Sequence, residues 1–157
     1  MSQSLSKLYV HLIFHVKNNM SVIKPEDEKE LFAYIGGIIK LSKSISVCIN
    51  GTEDHIHVLC IMSKNVSLAA LLEDIKRNSS RWIKTKDDHY QSFAWQGGYS
   101  GYSVSQSKVE VVERYIQNQK EHHKIVTFKD EYEALLRELG IEFDEKEFGF
   151  LFLSVCL

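Results

Sequence analysis

Cysteine, proline and long apolar runs are scarce in this chain, and each scarcity closes off a class of protein. The three cysteines, Cys48, Cys60 and Cys156, are odd in number and show no CxxC spacing. That excludes a disulfide framework and a zinc ribbon, and reduced thiols in a cytoplasmic protein are expected. A single proline in 157 residues, with 44% hydrophobic and 25% charged residues, excludes collagen-like and disordered chains. The apolar tail "FGFLFLSVCL", at about ten residues, is half of the ~20 that a membrane helix needs. It reads as a strand or a packing segment, and no membrane partner is expected. The start "MSQSLSKLYV" has no charged stretch followed by an apolar one and a small-residue cleavage site, so no secretory signal is visible. A basic excess is missing as well, because the formal net charge is −2. By region, residues 124–157 carry net −4 and residues 1–123 net +2, which places any polyanion site in the earlier part.

What is present reads as one domain over 1–157, with a core at about 5–148 and the apolar tail at 149–157. Residues 5–16, "LSKLYVHLIFHV", are β-branched and aromatic and predict a strand. Pro25 followed by "EDEKE" predicts a helix start, since proline suits the first turn and acids favour the positive end of the dipole. Leu31, Ile35, Ile38 and Ile39 give that helix its stripe to about Ser44. "ISVCIN", "GTED" and "HIHVLCIM" read as strand, turn and strand, a hairpin over 45–62. Ser67 caps a second helix carrying Leu68, Leu71, Leu72, Ile75 and Trp82 on one face. "WQGGYSGYSVS" is a glycine-rich loop entering a short strand at 101–105. One helix over 108–124 and another at "DEYEALLREL", stopped by Gly140, complete the order. Up to residue 105 the string is βαββαβ. The expected fold is therefore α+β: an antiparallel sheet with helices on one face, of the split βαβ, ferredoxin-like or RNA-recognition-motif type, plus an added C-terminal helix bearing Tyr115.

Two imidazoles interrupt the third strand. Side chains alternate along a strand, so His55 and His57 share one face while Ile56 and Val58 take the other. Such a pair either ligates a metal or hydrogen-bonds within the sheet, and the triplet alone does not decide. On the helix from 108, Val109, Val112 and Ile116 form a packing stripe, and Tyr115, Gln119 and His122 share its flank. Lys76, Arg77, Arg81, Lys84 and Lys86 cluster on and after the second helix, as a solvated face or a polyanion site.

Four segments in this order, "EDHIHVL", "IKRNSSRWI", "WQGGYSGYSVS" and "YIQNQKEHH", closely resemble the single-tyrosine HUH transposases of small insertion sequences that move as single-stranded DNA. The resemblance spans about residues 8–148. HUH stands for histidine, bulky hydrophobic residue, histidine, which His55, Ile56 and His57 satisfy; Tyr115 and Gln119 match the family's tyrosine with a glutamine four residues on. The resemblance implies a divalent ion, Mg²⁺ or Mn²⁺, held by His55, His57 and Gln119. It also implies Tyr115 as the nucleophile that forms a 5′-phosphotyrosine link. Asp54 either orients a ligand imidazole or closes the turn, and His122 is a candidate base or supporting group. The implied partners are single-stranded DNA hairpins at element ends, met by Lys17, Lys76, Arg77, Arg81, Trp95, Tyr99 and Tyr102, with Trp82 either core or contact. A homodimer sharing active sites between subunits is implied too. The alternative is a domesticated or inactive relative that binds hairpins without cleavage. Relatives end near "FDEKEF", so the added tail is a departure that touches none of the four segments.

Overall fold

The computed structural model describes residues 2–17 and 21–146. Along them run β1 (Leu8–His15), α1 (Pro25–Leu41), β2 (Ile45–Gly51), β3 (His55–Met62), α2 (Leu68–Ile83), β4 (Ser100–Val104), α3 (Val109–Gln117), α4 (Gln119–His122) and α5 (Phe128–Glu138). The strands form one sheet in the order β2-β3-β1-β4, antiparallel at every pairing. This is the expected βαββαβ arrangement, with β1 and β3 central. The expectations for the tail 149–157 lie outside the described residues. Among the described residues no helix is long and apolar enough to cross a membrane.

Local chemistry accounts for the ends of the first two helices. α1 begins with Pro25 and places Glu26, Asp27 and Glu28 in its first turn, where the helix dipole favours negative charge. It stops at Ser42, whose hydroxyl donates to the Ile39 carbonyl at 2.6 Å. Lys43 then turns the chain with a φ of 63°. The Ser67 hydroxyl accepts from the Ala70 amide at 3.1 Å, capping α2.

The sheet has two different faces. Leu12 and Phe14 of β1, with Ile56, Val58 and Cys60 of β3, pack against Leu31, Ile35 and Ile39 of α1 and Leu71, Leu72 and Ile75 of α2. Each fully buried Leu or Ile there contributes ~1.5–3 kcal/mol. The opposite face, carrying His11, Ile13, His55, His57 and Leu59, receives the helices that follow β4. Val109 and Ile116 of α3 pack with Leu59; Phe128, Tyr132 and Leu136 of α5 pack with Ile13 and Tyr102. Helices α1 and α2 thus cover one face, and the added helices cover the face of the two histidines.

The helix expected over 108–124 is broken at Asn118. The Asn50 side-chain amide on β2 donates to the carbonyls of Ile116 and Gln117 at 2.9 and 3.1 Å. A continuous helix would direct those carbonyls to the amides of residues 120 and 121. The ammonium of Lys120 binds the Asn50 oxygen and the Gly51 carbonyl, both at 3.2 Å. Helical bonding resumes from Asn118 to His122 and from Gln119 to His123, both at 3.0 Å.

Candidate active site

Six of the seven histidines gather on the face under α3, α4 and α5. His11 and His15 come from β1, His55 and His57 from β3, and His122 and His123 from the end of α4. Ring centroids are 5.1 Å apart for His55 and His57, 4.5 Å for His55 and His123, and 5.1 Å for His11 and His57. His55 and His57 are fully buried.

Asp54 lies at the turn and beside the first imidazole of the pair. It closes the β2–β3 turn, where Thr52 donates to its carboxylate at 2.8 Å, and it takes His55 Nδ1 at 2.7 Å. Burial would raise its carboxyl, but the contact with His55 prevails and holds it below the usual range. His55 Nε2 then faces Gln119 Oε1 at 3.1 Å. The same amide oxygen lies 3.0 Å from His123 Nε2. Gln119 is fully buried, delivered there by the break at Asn118.

Glu131 on α5 stands at the centre of the cluster and was not among the residues read from sequence. Its oxygens lie 3.0 Å from His57 Nε2, 2.9 Å from His122 Nε2 and 2.7 Å from His123 Nε2. Burial would raise its carboxyl, but the contacts with His123 and His57 hold it well below the ordinary carboxylate range. In return His123 is raised: burial opposes this, and the contact with Glu131 outweighs it. His57 falls to about 4, chiefly through burial and against the pull of Glu131. Burial, with His57 beside it, brings His11 to about 3. The available signal for Glu131 was its place on an apolar stripe: Phe128, Glu131, Tyr132 and Leu136 are the buried residues of α5.

Tyr115 is half-buried at the edge of this cluster. Its ring centroid is 5.7 Å from His57, 5.7 Å from His122 and 6.3 Å from His11. Burial, and then the Glu131 charge, raise its hydroxyl well above the ordinary phenol value. The structure therefore brings Tyr115, His55, His57 and Gln119 together within one chain, with α3 packed on its own sheet. His122 contacts Glu131 from the same side, while His123 reaches Gln119.

The residues expected to meet DNA divide by exposure. Lys17, Arg81 and Tyr99 are exposed. Arg77 is exposed but ion-paired with Glu73 at 2.8 Å and Asp74 at 3.0 Å. Lys76 turns inward and donates to the carbonyls of Gln96 and Gly98 at 2.6 and 2.7 Å, fastening the glycine loop. Trp95 is buried, its indole N–H donating to Ser79 Oγ at 2.9 Å. Tyr102 is buried under α5. Neither buried ring is presented for stacking with a base. Trp82 stacks on Tyr34 at 4.8 Å and packs against the core, with Lys86 at 5.5 Å from its ring.

The donor set fits a divalent cation. Ligand atoms of His55, His57, His123 and Glu131 all lie within 4.8 Å of one another. His57 Nε2, His122 Nε2 and both Glu131 oxygens are shut off from solvent, and for all their short contacts none gains an aligned hydrogen bond. Buried polar atoms left this way are uncommon in folded proteins, and a bound ion resolves them.

Comparison with known proteins agrees with the geometry. The profile of a family described as "Transposase IS200 like" matches residues 4–119. A solved structure from Deinococcus radiodurans, provisionally called a transposase, superposes with a TM-score of 0.58 at 22% identity. That match covers 76% of this chain and 98% of the other. A REP-associated tyrosine transposase bound to a REP hairpin superposes with a TM-score of 0.59 at 13% identity, covering 80% and 76%. At these identities the two structures establish the fold alone. No curated protein matches the chain.

Proposed function

The chain belongs to the IS200-like transposases, and on that premise we propose that it cleaves and rejoins single-stranded DNA at hairpin-bearing element ends, with Tyr115 as nucleophile. The observation that carries this reading is the placement of Tyr115, its ring 5.7 Å from that of His57 on the face of the HUH pair. In the cleavage step Tyr115 Oη attacks phosphorus, a bond to the 5′-phosphate forms, the bond from phosphorus to the 3′ oxygen breaks, and that oxygen takes up a proton. Rejoining reverses the step with a 3′-OH from another strand, so no phosphodiester is lost to water. A divalent cation such as Mg²⁺ or Mn²⁺, when bound, neutralises charge on the phosphate and favours the phenolate, and His55 and His57 with Gln119 are side chains that would hold it.

The protein's own groups handle the proton. Tyr115 starts protonated, held so by burial and by Glu131. His122 borders its ring and stands where a departing proton can be received. Asp54 fixes the His55 ring, and His11 Nε2, 2.9 Å from His57 Nδ1, fixes the other. Lys17, Arg81 and Tyr99 offer exposed cations and a ring to backbone and unpaired bases. The choice of hairpin ends follows the structural relative bound to a REP hairpin.

The test is incubation of the full chain with labelled hairpin-ended single-stranded DNA and Mn²⁺ or Mg²⁺, followed by denaturing electrophoresis. A covalent adduct is expected, absent in Tyr115→Phe and with chelator. An adduct that persists in Tyr115→Phe overturns the assignment of the nucleophile. Hairpin binding without an adduct, on matched element ends, points to the non-cleaving relative instead. Mixing Tyr115→Phe with His57→Ala chains restores the adduct if two copies exchange their tyrosine helices, and not if each uses its own.

A further inference from the structure

We propose that His123 and Glu131, which lie beyond the matched family segment, ligate the cation together with His55, His57 and Gln119, and that this donor set selects Mn²⁺ over Mg²⁺. The proposal rests on the transposase reading for the reaction the cation serves, but the ligand set stands on its own geometry.

Asp54 and the Val126 carbonyl can only accept, so the nitrogens that meet them, His55 Nδ1 at 2.7 Å and His123 Nδ1 at 2.8 Å, are the ones carrying hydrogen. In the neutral ring each Nε2 is then a bare lone pair, and both lone pairs face Gln119 Oε1, itself an acceptor, at 3.1 and 3.0 Å. Three acceptors directed at one another repel unless positive charge lies among them. Metal-bound histidines are held in this manner, with the far nitrogen tied to a carboxylate or a carbonyl.

Glu131 is 6% exposed, and neither oxygen has an aligned hydrogen bond. It lies 2.7 Å from His123 and 3.0 Å from His57, and its ligand atom is within 4.8 Å of those of all three histidines. A buried carboxylate among imidazoles, with neither oxygen hydrogen-bonded, is a poor arrangement for a cluster without a cation and a good one around a cation.

The donor types then choose the ion. Even Mn²⁺, the weakest binder of the first-row divalent series, takes imidazole nitrogen more readily than Mg²⁺, which prefers oxygen and keeps several waters. Five side-chain donors leave one position on a six-coordinate ion, which a phosphate oxygen can take. A tetrahedral ion such as Zn²⁺ would have its shell filled by side chains alone.

The test is metal binding by the metal-free full chain. Calorimetric titration is expected to show Mn²⁺ binding at least ~10-fold tighter than Mg²⁺, and Glu131→Gln and His123→Asn each weakening Mn²⁺ by ~10-fold or more. Tyr115→Phe should bind Mn²⁺ as the parent does. Pulsed electron paramagnetic resonance of the Mn²⁺-loaded parent is expected to count three imidazole nitrogens, falling to two in His123→Asn. That count on the parent needs no variant, so it decides the question even if a substitution prevents folding. Two nitrogens in the parent, or unchanged Mn²⁺ affinity in folded Glu131→Gln, overturns the ligand set and leaves the transposase reading in place. Three nitrogens with no DNA adduct on matched ends would uphold the ligand set and overturn the transposase reading.

Discussion

Replacing Gly51 by alanine should damage the fold and the site together. A Cβ at this position would lie well inside contact distance of the His55 carbonyl oxygen, 3.0 Å from Ile56 Cα and 3.1 Å from the His55 carbonyl carbon. All three atoms are backbone, so no rotamer change relieves the clash and the turn must open by on the order of 1 Å. The His55 carbonyl also accepts from the Thr52 amide at 3.0 Å, a bond the displacement would break. Overpacking at ~1–3 kcal/mol and a lost hydrogen bond at ~1 kcal/mol give a destabilisation of about 2–4 kcal/mol. For a chain of this size that lowers the melting temperature by roughly 4–16 °C. The same shift carries the His55 ring away from Asp54, Gln119 and His123, and a 1 Å misplacement costs ~100-fold in rate. Thermal unfolding and adduct formation below the melting transition measure the two effects separately. An alanine variant that melts with the parent and forms adduct at the parental rate would refute the close approach of the two strand ends.

Four other substitutions or treatments probe separate parts of the molecule. Tyr90→Phe removes the hydroxyl that donates to buried Asp27 at 2.6 Å and should cost ~1–3 kcal/mol in a denaturant titration; an unchanged midpoint would show that Lys86, 3.7 Å from Asp27, suffices. Asn50→Ala frees the carbonyls of Ile116 and Gln117 and should lower adduct yield by more than its ~1–3 kcal/mol stability loss implies, because Gln119 and His123 lose their placement; equal yield in the folded variant would contradict this. Burial pushes the Cys60 thiol up to about 12, so native protein at pH 8 should resist alkylation there until unfolded, as read by peptide mapping. Arg81→Ala should weaken hairpin binding and reduce the slope of log affinity against log salt by about 1, and an unaltered slope would remove Arg81 from the interface.

The parts of the fold that were legible are those whose burial is one-sided or whose ends carry their own chemistry. α1 and α2 show their buried stripes directly, and Pro25 and Ser67 mark their starts. The pair in β3 stood out because two polar rings interrupt a run buried from His55 to Cys60. The break at Asn118 was not legible, since the group that holds it, Asn50, is 66 residues away in sequence from Ile116. Trp95 stands at the start of the glycine-rich loop and Tyr102 on the short strand it enters, and nothing local shows that Ser79 and α5 enclose them. Lys76 looked like a free cation because nothing local shows that two loop carbonyls take it.

Glu131 was illegible for a reason that also explains what α5 is for. A carboxylate at a core position of an amphipathic helix reads as an interruption of the stripe, and its partners come from two other parts of the chain, His57 on β3 and the adjacent His122 and His123 at the end of α4. Alone it would oppose docking of α5, because burying an anion costs several kcal/mol. Phe128, which stacks on His55 at 4.0 Å between centroids and 12° between planes, with Tyr132 and Leu136 on the same stripe, supplies the apolar burial that offsets that cost. Tyr132 also hydrogen-bonds the Ser100 hydroxyl of β4, which anchors α5 across the sheet from the histidines of β3. The apolar contacts of α5 flank the cluster, so the helix brings its charge to the histidines with little freedom to move. A cation among those groups would strengthen the same attachment, so binding of the ion and docking of α5 should be mutually reinforcing.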